Sequence, residues 1–152
     1  MKLQYTKQNK GYLLLETVII TAIAVSLSIA VIQTAFYFQK TVKKDFQTAK
    51  NIQNINKFCK TLRKILAMYK KEKITAKPEI NFLSIFKKEK KIIYITYTNK
   101  TLKIYHKEKP KIFKWEGKEI LFTPYCIKEK LSYIEIVFKS KYKTVKKTIF
   151  LN

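Results

Sequence analysis

"KGYLLLETVIITAIAVSLSIAVIQTAFYFQ", residues 10–39, decides how the rest of the chain is read. From Thr17 to Gln39 it holds 23 residues without a charge. As a helix rising about 1.5 Å per residue, that length crosses a hydrocarbon core roughly 30 Å thick. Apolar side chains occupy all faces of such a helix, which suits lipid on every side. Two residues at the head of the run are out of keeping with it. Gly11 is one of two glycines in 152 residues, where ordinary usage gives about ten. Glu16 places a carboxylate among apolar residues, where it is costly unless it has a partner or a function.

Ahead of the run lies "MKLQYTKQNKG", with Lys2, Lys7 and Lys10 and no acid. A secretory signal peptide shares the basic start, but its apolar core spans about 7–15 residues and ends at a small-x-small site. The candidate site, Ser28–Ala30, falls inside an apolar run that continues to Phe38. A plain signal anchor is a second reading. Lys40, Lys43, Lys44 and Lys50 nearly balance the lysines on the other side, so the positive-charge rule leaves its orientation open. Under both readings Glu16 has to lie at the headgroups, although Tyr12 to Leu15 separate it from the basic leader.

Basic leader, Gly11, an apolar residue at 12, Glu16 and then a long apolar run: in this order, residues 10–38 resemble the amino terminus of type IV prepilins and pseudopilins. The resemblance implies a leader at 1–11, cleavage between Gly11 and Tyr12 by a prepilin peptidase, and N-methylation of Tyr12. Glu16 then becomes the fifth residue of a mature chain 12–152, the family's assembly position. The implied partners are the prepilin peptidase, other pilin or pseudopilin subunits, an inner-membrane assembly platform and the lipid bilayer. The implied place is the inner membrane, single-pass with the head outside the cytoplasm, and then a pilus or pseudopilus. Tyr12 stands where phenylalanine is commoner, and Gln33 stands near the proline that many major pilins carry.

Elementary chemistry supports that spacing. Cutting after Gly11 leaves a cationic amine on Tyr12, and a carboxylate four residues on can pair with it, in its own chain or in a neighbour. Pairing offsets the cost of burying either charge alone. Glycine before the cut lets the backbone enter a peptidase cleft extended.

Past Gln39 the pattern becomes a stripe: Phe46, Ala49, Ile52, Ile55, Cys59, Leu62, Leu66 and Tyr69 recur at spacings of three and four. With no proline before Pro78, one helix is expected from Tyr12 to Lys71, roughly 90 Å long. Residues 12–39 form its transmembrane or filament-core part. The head then spans 40–152, with an amphipathic helix at 40–72 and a β-rich part at 79–151. There "EINFLSIF", "KKIIYITYT", "TLKIYHK", "KIFKW", "EILF", "LSYIEIVFK" and "TVKKTIFL" are short runs rich in β-branched and aromatic residues. Asn99-Lys100 and Glu116-Gly117 are expected hairpin turns. The fold class is therefore α+β, a long N-terminal helix packed on a small antiparallel sheet.

The formal charge is +23, nearly all from lysine, since Arg63 is the only arginine. Lysine attracts phosphate without reading base edges, a task that favours the guanidinium fork. Compositional drift, with Lys, Ile, Tyr, Phe and Asn all abundant as in an AT-rich genome, is the simpler explanation of the charge. Removing the three leader lysines still leaves +20. A major subunit repeated along a filament would repel itself at that charge, which favours a minor subunit.

The second functional reading is an uncut membrane-anchored basic domain that binds nucleic acid or another polyanion. Its stacking residues would be Tyr94, Tyr97, Tyr105, Phe113 and Trp115, unless these form the core. A DNA-uptake pilin would combine both readings, with DNA bound through the basic head. Catalysis is not expected: His106, read as a surface residue, is the only histidine, and no glycine-rich phosphate loop occurs. Neither a metal nor a cofactor is implied, because His106, Cys59 and Cys126 have no ligand spacing. Cys59 and Cys126 are candidates for one disulfide tying the helix to a late strand, or for two separate thiols.

Overall fold

The computed structural model describes residues 4–107, 109–141 and 143–151, with side chains from Gly11 onward. One helix, α1 (Gln4–Ala67), is followed by eight strands: β1 (Ile74–Glu79), β2 (Phe82–Lys87), β3 (Lys90–Thr98), β4 (Thr101–Tyr105), β5 (Lys111–Lys114), β6 (Glu119–Ile127), β7 (Lys130–Lys139) and β8 (Thr144–Phe150). The chain divides into two compact units, Met1–Gln47 and Thr48–Asn152.

In the first unit every described side chain from Gly11 to Phe46 is exposed. No described residue covers the apolar stretch, which is long and apolar enough to cross a membrane once. Its hydroxyls are satisfied internally: Thr21 Oγ1 donates to the Thr17 carbonyl at 2.7 Å, and Ser26, Ser28 and Thr34 each donate one turn back at 2.8 Å. A helix that closes its own polar groups is suited to a medium without water.

The second unit is α+β. The end of α1 packs on two antiparallel sheets, one ordered β1-β2-β3-β4-β5 and the other β6-β7-β8. The helix presents Ile55, Phe58, Leu62, Ile65 and Leu66 to a core that includes Ile85, Ile93, Ile95, Ile104, Ile134, Ile136 and Phe138. Phe58 joins the layers. Its ring meets Phe113 of the first sheet edge-on at 5.6 Å and Phe138 of the second at 6.0 Å. Past Ala67 the chain turns tightly, Met68 N donating to Ile65 O and Tyr69 N to Leu66 O. The helix therefore stops short of the expected Lys71, and it begins before Tyr12.

Where sequence and structure differ, the causes are local. The expected single sheet is two, because Glu116-Gly117 is not a hairpin turn: β5 and β6 lie in different sheets. Gly117 has no left-handed backbone. It is glycine because a Cβ there would collide with the Trp115 indole. "EINFLSIF" is likewise split. Asn81, at φ 64°, turns the chain between β1 and β2. The stripe is buried only from Ile55 on; Phe46 and Ala49 are exposed.

Asn99 and Lys100 do form the expected hairpin, both at positive φ (49° and 59°). Two more two-residue turns follow the same geometry with charged residues: Lys88-Glu89 (44°, 66°) and Lys128-Glu129 (49°, 60°).

Candidate functional site

The residues singled out at the helix start are Gly11, Tyr12 and Glu16. All three lie within α1 and are exposed. Tyr12 and Glu16 are one turn apart, about 6 Å along the axis, and so share a face. None of the ion pairs among the described residues involves Glu16. An amine created at residue 12 would stand at the positive end of the helix dipole, one turn from the Glu16 carboxylate.

Gly11 differs from Gly117 in a way that bears on its purpose. Nothing lies within 4 Å of where its Cβ would be, and its φ is not positive. Inside a helix, glycine is less favourable than alanine by about 0.5–1 kcal/mol. Neither packing nor backbone shape in this chain asks for glycine at position 11. Gly117 has such a reason in Trp115.

Within the head, the aromatic residues weighed as stacking platforms fall into two groups. Tyr97 and Trp115 are buried, their rings 5.0 Å apart. The Tyr97 hydroxyl donates to the Gly117 carbonyl at 2.7 Å. Burial raises its pKa, partly countered by the hydrogen bond its oxygen accepts from the Gly117 N–H. Phe113 is half-buried against the core. Tyr94 and Tyr105 instead lie on the outer face of the first sheet, directly opposite one another in the β3–β4 register. No family model, curated protein or solved structure matches this chain.

His106 is not the surface residue its lysine-rich strand suggested. It is half-buried, with Nε2 2.9 Å from the Tyr69 hydroxyl. Desolvation first, then the charges of Lys107 and Lys111, hold its pKa below the usual value. Among the described residues, no three His, Cys, Asp or Glu side chains gather as metal ligands.

Cys59 and Cys126 are free thiols, so the candidate disulfide is not formed. Cys59 is half-buried on α1, and burial pushes its thiol up to about 11. Cys126 is exposed on β6, beside a bulge in the β6–β7 register.

Proposed function

We propose that this chain is a minor pilin or pseudopilin, a membrane-inserted subunit cut after Gly11 and packed through its apolar helix into a filament or filament tip. One observation carries the reading. Gly11 stands five residues ahead of Glu16 at the start of a span that could cross a membrane once, and the fold itself has no use for a glycine there. A peptidase cleft does have a use for it. The carboxylate of Glu16 is then left to meet the amine on Tyr12, its own or that of the next subunit.

The system served (secretion, DNA uptake or adhesion) depends on partners. Prepilin peptidase, sister subunits and the inner-membrane platform are the partners the reading requires.

The test is the mature amino terminus. The full chain is co-expressed with a prepilin peptidase, extracted from membranes and weighed intact. A chain beginning at Tyr12, one methyl group heavier, is the expected result. A chain still beginning at Met1 would overturn the reading and leave an uncut anchor, and one beginning after Ala30 would mark a signal peptide.

A further inference from the structure

The outer face of the five-stranded sheet carries an arrangement that neither packing nor filament assembly requires. Strand alternation turns Leu83, Ile85, Ile93, Ile95, Leu102 and Ile104 to the core. The opposite face receives Phe82, Tyr94 and Tyr105. Their rings form a row across β2, β3 and β4. Phe82 and Tyr94 are nearly parallel at 6.2 Å, and Tyr94 and Tyr105 stand 5.9 Å apart.

Lysines sit among the rings. Lys91 Nζ lies 4.6 Å above the Tyr94 ring, and Lys103 shares the face one pair further along β4. Glu79, opposite Phe82, is the acid that shares the face. At the end of the row, where β3 begins and β4 ends, a cavity of about 460 Å³ is lined by Lys90, Lys91, Tyr94, Tyr105, His106 and Lys107. That volume is in the range of small-ligand sites, about 300–1,000 Å³.

We propose that this face binds single-stranded nucleic acid without sequence preference, with bases on Tyr105, Tyr94 and Phe82 and phosphates on Lys91, Lys103 and Lys107. Three features point to that ligand. Aromatic rings beside lysines match a strand whose bases have π-faces and whose backbone is anionic. The ring spacing near 6 Å exceeds the roughly 3.4 Å rise of a stacked strand, so bases can take successive rings only after leaving one another. Lysine without arginine gives attraction without base-edge readout.

Lys91 covers one face of Tyr94, but it is exposed and unbranched, and turning aside brings its charge beside a phosphate. The second sheet carries an outward row of its own, Tyr125, Tyr133 and Phe150, in which Tyr125 and Tyr133 are stacked on each other at 4.3 Å and leave no ring face between those two for a base. The inference is independent of processing after Gly11 and stands or falls separately from it.

The test uses the full chain in detergent micelles and fluorescence anisotropy with a labelled oligothymidylate of about 16 nucleotides, beside a duplex of equal length. The single strand is expected to bind more tightly. The double variant Tyr94→Leu/Tyr105→Leu keeps an apolar cross-strand pair but removes the ring faces. It should weaken binding at least tenfold, since each stacked base accounts for roughly a five- to hundredfold effect, and leave the salt slope unchanged. Lys91→Gln and Lys103→Gln should each flatten the salt slope by about 1.

Equal affinity for single strand and duplex, or a double variant that binds as the parent does, would reduce the effect to diffuse lysine attraction and sink the proposal. Absence of binding would do the same. If the double variant misfolds, crosslinking of 5-iodouridine oligonucleotides to the unaltered chain decides. Adducts on Tyr94, Tyr105 or Phe82 are expected, and adducts confined to other residues overturn the assignment.

Discussion

Asn81 and Ile120 exchange two hydrogen bonds across the join between the two sheets. The Asn81 N–H donates to the Ile120 carbonyl at 3.0 Å, and the Ile120 N–H donates to Asn81 Oδ1 at 2.7 Å. The Asn81 carbonyl also accepts from Tyr97 N–H at 2.8 Å. One residue in a left-handed turn thereby ties the β1–β2 hairpin to β3 and to the second sheet. Asn81→Ala should cost about 3 kcal/mol, combining an orphaned N–H with a strained φ. Asn81→Gly keeps the backbone conformation and should cost about 1–2 kcal/mol. Urea unfolding in micelles checks the order; equal losses would show that conformation contributes nothing.

The two glycines should respond oppositely to the same substitution. Gly117→Ala drives a methyl into the Trp115 ring and should destabilise the head by about 2–3 kcal/mol. Gly11→Ala meets open space and should stabilise the helix by up to about 1 kcal/mol. Under the pilin reading, the same Gly11→Ala change slows removal of the leader. Gel mobility after peptidase co-expression and thermal melting separate these two effects.

The thiols should separate cleanly by reactivity. Cys126 is exposed, so a maleimide should label it in the native chain. Cys59 is half-buried with its thiol pushed up to about 11, leaving little thiolate at neutral pH. It should react only on unfolding. Mass spectrometry of peptides after native and denatured labelling reads both outcomes, and fast native labelling of Cys59 would contradict its packing.

His106 sets an acid-side limit. Its folded pKa lies below the ordinary value, so the unfolded chain takes up the proton first as pH falls. Stability should therefore be constant above the unfolded pKa of about 6.5 and decline below it until the folded group also titrates. Tyr69, Lys107 and Lys111 surround the ring. His106→Gln should flatten that part of the pH–stability curve. An unchanged slope would place the dependence on other groups.

The helix and most strands were legible because apolar run length and alternation are properties of neighbouring residues. β1 was missed, and β6 was cut short at Phe122, for a shared reason: each contains a proline, Pro78 and Pro124. Both strands are sheet edges, where a missing N–H costs no ladder bond. Edge position is a tertiary fact that no local window holds. The stripe extended back to Phe46 because periodicity does not say where its partner ends. Gly11 and Glu16 stood out by contrast with their surroundings. Tyr94 and Tyr105 could not be told from Tyr97 and Trp115, since the inward side of a strand is set by its register.

The near absence of glycine also leaves a kinetic mark. Lys88-Glu89, Asn99-Lys100 and Lys128-Glu129 hold side-chain-bearing residues in a conformation that L-amino acids resist by about 1–2 kcal/mol each. Such bends do not close early and draw their strands together; the paired strands close them. Nucleation is then expected around Phe58, whose ring contacts both sheets. Lys100→Gly should accordingly slow unfolding and leave refolding unchanged, whereas Phe58→Leu should slow refolding.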